Sequence, residues 1–125
     1  PKPEAPKMPS EAERLRQLRS ISALYTVIRL IDYQRVEVKN GWRSLEGEEG
    51  VYRVSADGQT VELYAKDGRG LILSQKEGKI TSYLNEADLK RLEQTHQSLE
   101  EKIRIWETAE SLERNESEDR GMELD

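Results

Sequence analysis

The chain has 125 residues, a net charge of −5, 34% hydrophobic and 36% charged residues, so it holds one small core and solvated ends. The absence of cysteine and a single histidine exclude disulfides, thiol nucleophiles, Cys-based zinc or iron–sulfur sites and any site needing two imidazoles. No apolar run approaches a membrane span and no signal peptide is visible, which reads as a cytoplasmic chain with no membrane partner.

Pro1, Pro3, Pro6 and Pro9 make residues 1–9 a proline-rich linker that cannot nucleate a helix. We read it as a connection to the rest of a longer protein. Ser10 with Glu13 is a capping box, starting a helix that carries Leu15, Leu18, Ile21, Leu24, Tyr25, Ile28 and Ile31 at helical spacing to about Tyr33. From Val36 the period shortens to two. Val36–Val38 reads as a short strand, followed by a glycine-punctuated stretch from Asn40 to Gly50. Four strands then follow in series at 51–55, 60–66, 71–75 and 79–83, with connections too short for crossovers. They predict an antiparallel meander. Leu63, Leu71, Leu73 and Ile80 are expected on one face, covered by helices. Asn85 and Asp88 mark a second helix start, and Leu89, Leu92, His96, Leu99, Ile103 and Trp106 form its apolar seam, suggesting a helical hairpin or coiled-coil contact. Residues 113–125 are too polar to bury and read as an acidic flexible tail.

The charge is segregated. Residues 1–43 carry nine Lys/Arg against five Asp/Glu, and residues 84–125 six against thirteen. A basic first helix and an acidic last helix would attract one another if antiparallel. Alternatively, Arg14, Arg16 and Arg19, with Arg69 from the glycine-rich Asp67-Gly-Arg-Gly70, could contact phosphates. The tetrapeptide lies between strands and lacks a phosphate-loop lysine, so a turn with a positive φ at Gly68 or Gly70 is expected instead. On that reading Arg69→Ala changes stability little. His96 reads as a packed or salt-bridged residue near Glu93 and Glu100. Glu46, Glu48 and Glu49 match no calcium loop and read as solvated. Trp42 and Trp106 are expected to anchor packing, and either becomes a partner contact if exposed. No catalytic, metal or cofactor constellation emerges.

The segment from Tyr52 to Glu93 resembles small domains of cyanobacterial plasmid mobilisation (relaxase-type) proteins. The resemblance lies in a strand beginning with Tyr, Asp67-Gly-Arg-Gly70, Leu71-Ile-Leu73, Gly78-Lys-Ile80 and Leu84-x-x-x-Asp88-Leu-x-Arg91-x-Glu93. It implies an accessory domain appended to a larger enzyme. The histidine triad and catalytic tyrosine motif of a relaxase nuclease are not in this chain, so nuclease activity does not carry over.

Together these observations predict one α+β domain over 10–112, built as a long helix, a four-stranded antiparallel meander and a second long helix. Its expected function is a non-catalytic interaction or accessory role. Leu99, Ile103 and Trp106 form the surface expected to take a protein partner or a second copy. The alternative is a weak nucleic-acid-binding module using the basic first helix.

Overall fold

The computed structural model describes the backbone of residues 8–123, and side chains as far as residue 115. Most of the expected linker therefore lies outside the described residues. Helix α1 spans Glu11–Tyr33; Ser10 caps it, its side chain accepting from the Glu13 N–H at 3.1 Å, with Glu11 and Glu13 at the positive end of the dipole. The helix stops at a residue in the left-handed region, Arg35 (φ 52°). The Arg35 N–H donates to Asp32 O and the Val36 N–H to Ile31 O, the two closing bonds of a Schellman motif, with arginine where glycine is usual.

Five strands follow rather than four: β1 Trp42–Glu46, β2 Gly50–Ser55, β3 Val61–Ala65, β4 Gly70–Lys76 and β5 Lys79–Ser82. They pair in chain order as an antiparallel meander. The expected strand at Val36–Val38 does not form. Instead Lys39 and Trp42 pair across Asn40 (φ 52°) and Gly41 (φ 81°), a two-residue turn of the Asn-Gly kind that feeds the chain into β1.

Register fixes the two faces of the sheet. Leu45, Tyr52, Val54, Val61, Leu63, Ala65 and Leu73 face the helices and join Ala23, Leu24, Val27 and Ile31 of α1 in one core. Leu71 does not belong to this face. Leu63 pairs with Leu73 but Tyr64 pairs with Leu71, so Ile72 is the extra residue of a β-bulge. The bulge buries Ile72 and turns Leu71 outward. Ile80 keeps the register of the covered face, opposite Gln75, but lies at its rim and is 39% exposed. The other face is free of helices, and Ser44, Arg53, Glu62, Ser74 and Thr81 form one row across all five strands.

Helix α2 spans Glu86–Glu123 and packs beside α1. The two run in the same sense: Arg16 reaches Leu84 O, Arg19 reaches Glu86 and Glu93, and Arg29 reaches Glu100. The expected attraction between basic and acidic helices is therefore realised in parallel, not as an antiparallel hairpin. An odd number of directly connected strands is the reason, since it returns the chain to the end of the sheet where α1 began. Helix α2 also continues past residue 113, where a flexible tail was expected. Glu110 pairs with Arg114 one turn on at 3.7 Å.

Gly50 is the tightest point between β2 and β3. A β-carbon there would lie 2.8 Å from the Tyr64 carbonyl oxygen and 3.2 Å from Leu63 Cδ1. Gly50→Ala is expected to destabilise by about 1–3 kcal/mol through overpacking. Gly70→Ala, where a β-carbon meets nothing but φ is +78°, is expected to cost about 1 kcal/mol from backbone conformation alone. Urea unfolding of both variants checks the order.

Candidate functional site

An ion-pair hub marks the start of α2, and large apolar side chains are exposed near its other end, as Leu15, Leu18 and Tyr25 are on α1. The hub begins with the β3–β4 turn, where Gly68 (φ 96°) and Gly70 (φ 78°) adopt the backbone expected of a reversal. Asp67 Oδ1 accepts from the Arg69 N–H at 3.2 Å, and the Arg69 Nε donates to the Asp67 carboxylate at 2.8 Å. Held this way, the guanidinium forks onto Asp88: Nη1 to Oδ2 at 2.8 Å and Nη2 to Oδ1 at 2.9 Å. The Asp88 side chain is only 2% exposed.

The same carboxylate closes the start of α2. The Asn85 N–H donates to Asp88 Oδ2 at 2.9 Å, and the Asp88 N–H donates to Asn85 Oδ1 at 2.8 Å. This is a reciprocal capping box with aspartate in the place of glutamate. The Arg69 hydrogen bonds, aided by the Asn85 N–H, hold the Asp88 carboxyl below its ordinary value of 3.8 against the opposing effect of burial. One turn on, Arg91 pairs with Glu49 of the β1–β2 turn. The hub thus ties two hairpin ends to the first turns of α2.

These contacts bear on the phosphate reading. Arg69 is engaged by two carboxylates, and its tight pairing raises its pKa further. Arg19 is likewise held by Glu86 and Glu93, at 2.8 and 2.6 Å, and Arg16 donates to the Leu84 carbonyl at 2.7 Å. Of the four arginines singled out from the sequence, Arg14 alone has a side chain without a hydrogen bond or ion pair among the described residues. The four do not converge on a common anion position. With Arg69 forked onto Asp88, Arg69→Ala is expected to be costly instead of nearly neutral, because that change would leave the enclosed Asp88 carboxylate without its main partner.

The residues expected to take a partner are not exposed together. Leu99 is buried at 3% exposure and Ile103 is half-buried, whereas Trp106 is 57% exposed. Leu99 packs inside the molecule because α1 still lies alongside α2 at that level; α1 ends at Tyr33, and the seam loses its cover beyond. Ile105 and Leu112, which the sequence reading missed, are 63% and 60% exposed. Trp42 is half-buried on the free sheet face, with the Arg53 guanidinium 4.1 Å from its ring centre. His96 sits at the rim with Nε2 4.0 Å from Glu100, while its Nδ1 is enclosed without a hydrogen-bond partner. In the acidic loop, Glu46 pairs with Lys66 at 2.8 Å and Glu49 with Arg91.

Among the described residues no three His, Cys, Asp or Glu side chains group as metal ligands, and no helix is long and apolar enough to cross a membrane. Comparison with known protein families, curated proteins and solved structures finds no match.

Two outcomes follow from the hub. Arg69→Ala and Asp88→Ala are each expected to lower stability, the latter by about 1 kcal/mol from the lost Asn85 N–H hydrogen bond alone. The double variant is expected to lose less than the sum, measured by a double-mutant cycle in urea. Because the folded-state pKa of Asp88 is depressed, its contribution is fully present above the unfolded value near 3.8 and disappears as pH falls below it. Thermal melts between pH 5 and pH 2 are expected to show a shallower loss for Asp88→Asn than for the parent chain.

Proposed function

We propose that this chain is a non-catalytic interaction domain whose working surface is the part of α2 that outruns α1. The exposure of Ile105, Trp106 and Leu112 on one projecting helix carries this reading. Large apolar side chains clustered on a helix surface are costly to leave in water and mark contact sites, and tryptophan is the residue most enriched at the centres of such contacts. The β-sheet and α1 serve as the base that holds this helix out.

An accessory role in a plasmid mobilisation (relaxase-type) protein of the cytoplasm is the setting we propose. Its support is the resemblance over Tyr52–Glu93. Several residues behind that resemblance are structural partners of one another, notably Asp67, Arg69 and Asp88. The resemblance therefore bears on how the domain is built more than on what it contacts.

A photo-crosslinking residue in place of Trp106, introduced into the chain in its native cells, is expected to give a protein adduct. The same residue in place of Lys76, on the free face of the sheet, is expected to give none. Absence of any adduct at position 106, with itself or with another protein, would overturn the interaction reading.

A further inference from the structure

We propose that the occupant of the projecting helix is the same segment of a second copy, laid antiparallel across it. This rests on the interaction reading above and names its partner. Beyond Lys102 the helix continues for 21 residues, from Ile103 to Glu123, which is about 30 Å at helical rise. Ile105, Ala109 and Leu112 are spaced by four and three residues and so share one stripe, with Trp106 on its flank. Further back, the same stripe passes over Ser98 and Gln94, both small or polar and exposed. Between Ile105 and Ser98 it crosses the exposed Glu101 and Lys102, and at Ser98 and Gln94 it borders Leu30, Tyr33 and Gln34 at the end of α1, so the open part of the stripe is the projection itself.

The charge gradient selects the direction. Lys102 and Arg104 stand at the base of the projection. Toward the tip the sequence carries Glu107, Glu110, Glu113, Glu116, Glu118, Asp119 and Glu123, relieved by Arg114 and Arg120. Parallel pairing sets one acidic tip beside the other. Antiparallel pairing brings each acidic half to Lys102 and Arg104 of its neighbour, which outnumber the exposed Glu101 beside them because Glu100 is engaged by Arg29. With the two-fold axis between Thr108 and Ala109, Ile105 of each copy faces Leu112 of the other, and the two small residues meet at the crossing. Lys102 and Glu113 lie on one flank of the stripe, so each lysine comes within reach of the partner's glutamate. This is a closed, isologous contact that stops at two copies. It is short, below the area of about 1,200 Å² that stable complexes bury, so the dimer is weak and reversible.

The native chain has no cysteine, which makes single introduced thiols unambiguous reporters. The full chain carrying Ile105→Cys is mixed with the chain carrying Leu112→Cys and oxidised gently, and each is also oxidised alone. The expected result is a mixed disulfide several-fold more abundant than either homodisulfide. Sedimentation over a concentration series is expected to show a monomer–dimer equilibrium weakened by Lys102→Glu and restored by Lys102→Glu with Glu113→Lys. All these positions are exposed, and circular dichroism checks that each variant is folded. Predominant Ile105–Ile105 disulfide would overturn the antiparallel register. A strictly monomeric chain up to millimolar concentration would overturn self-pairing altogether. In that last case an adduct between position 106 and a different protein would leave the interaction reading standing, whereas no adduct would remove both.

Discussion

The bidentate pair between Arg69 and Asp88 is the contact on which the rest of this architecture depends. It joins a β-turn to a helix start, two elements that share no backbone hydrogen bond. Each half is prepared separately: Asp67 orients the arginine, and Asn85 orients the aspartate. A fork held at both ends loses little side-chain freedom when it forms, which distinguishes it from an ordinary surface ion pair. Because the Asp88 carboxylate is enclosed, the arrangement also discriminates against alternatives. Any packing of α2 that moved its first turn away from the β3–β4 turn would leave a charge buried without its partner. The fork thus sets where α2 begins, and Arg19, Arg29 and Arg91 set the line it follows.

That line has a consequence for the outline of the molecule. Five strands in direct succession return the chain to the starting end of α1, so α1 and α2 advance together. Helix α1 has 23 residues and α2 has 38, and the excess of α2 emerges as a projection at one end. Had the sheet four strands, α2 would have started at the other end and run back along α1. Strand β1, with Arg43 paired to Asp32 of α1 at 2.6 Å, brings the number of strands to five and so sets both the sense of the helix pair and the exposure of Trp106.

Most of the element order was legible in the sequence, and the reasons for the misses are specific. Ser10 and Asn85–Asp88 carried their capping chemistry in plain view, and alternation marked four strands. Strand β1 was hidden because its helix-facing positions are Arg43 and Leu45 and its free-face positions are Trp42, Ser44 and Glu46, so it shows no apolar alternation. The Asn40-Gly41 pair was the available signal, since that dipeptide is the strongest short-range mark of a two-residue turn. Leu71 was assigned to the wrong face because a bulge adds one residue to the period, and nothing in Leu-Ile-Leu announces which residue is extra. At the site, the Arg69–Asp88 pair spans 19 residues of sequence, and only the meeting of turn and helix start reveals it. Leu99 and Trp106 shared a seam by spacing, yet spacing alone does not say where the neighbouring helix ends.

The distribution of ion pairs also bears on the proposed working surface. The cations that made the first third of the chain basic are largely spent inside the fold: Arg16 on a carbonyl, Arg19 and Arg29 on α2, Arg43 on α1 itself. The acidic residues matched to them are those of the first half of α2. Among the described residues, the acidic side chains beyond Lys102 make no ion pair with the body, and Ile105, Trp106 and Leu112 stand exposed beside them, as Leu15, Leu18 and Tyr25 do on α1. A polyanion is repelled by such a surface, and a lipid bilayer with an anionic face is no better suited to it. What suits it is an apolar stripe bordered by cations. The base of the same helix, with Lys102 and Arg104 beside Ile105, presents that combination, so the surface is complementary to itself once its direction is reversed.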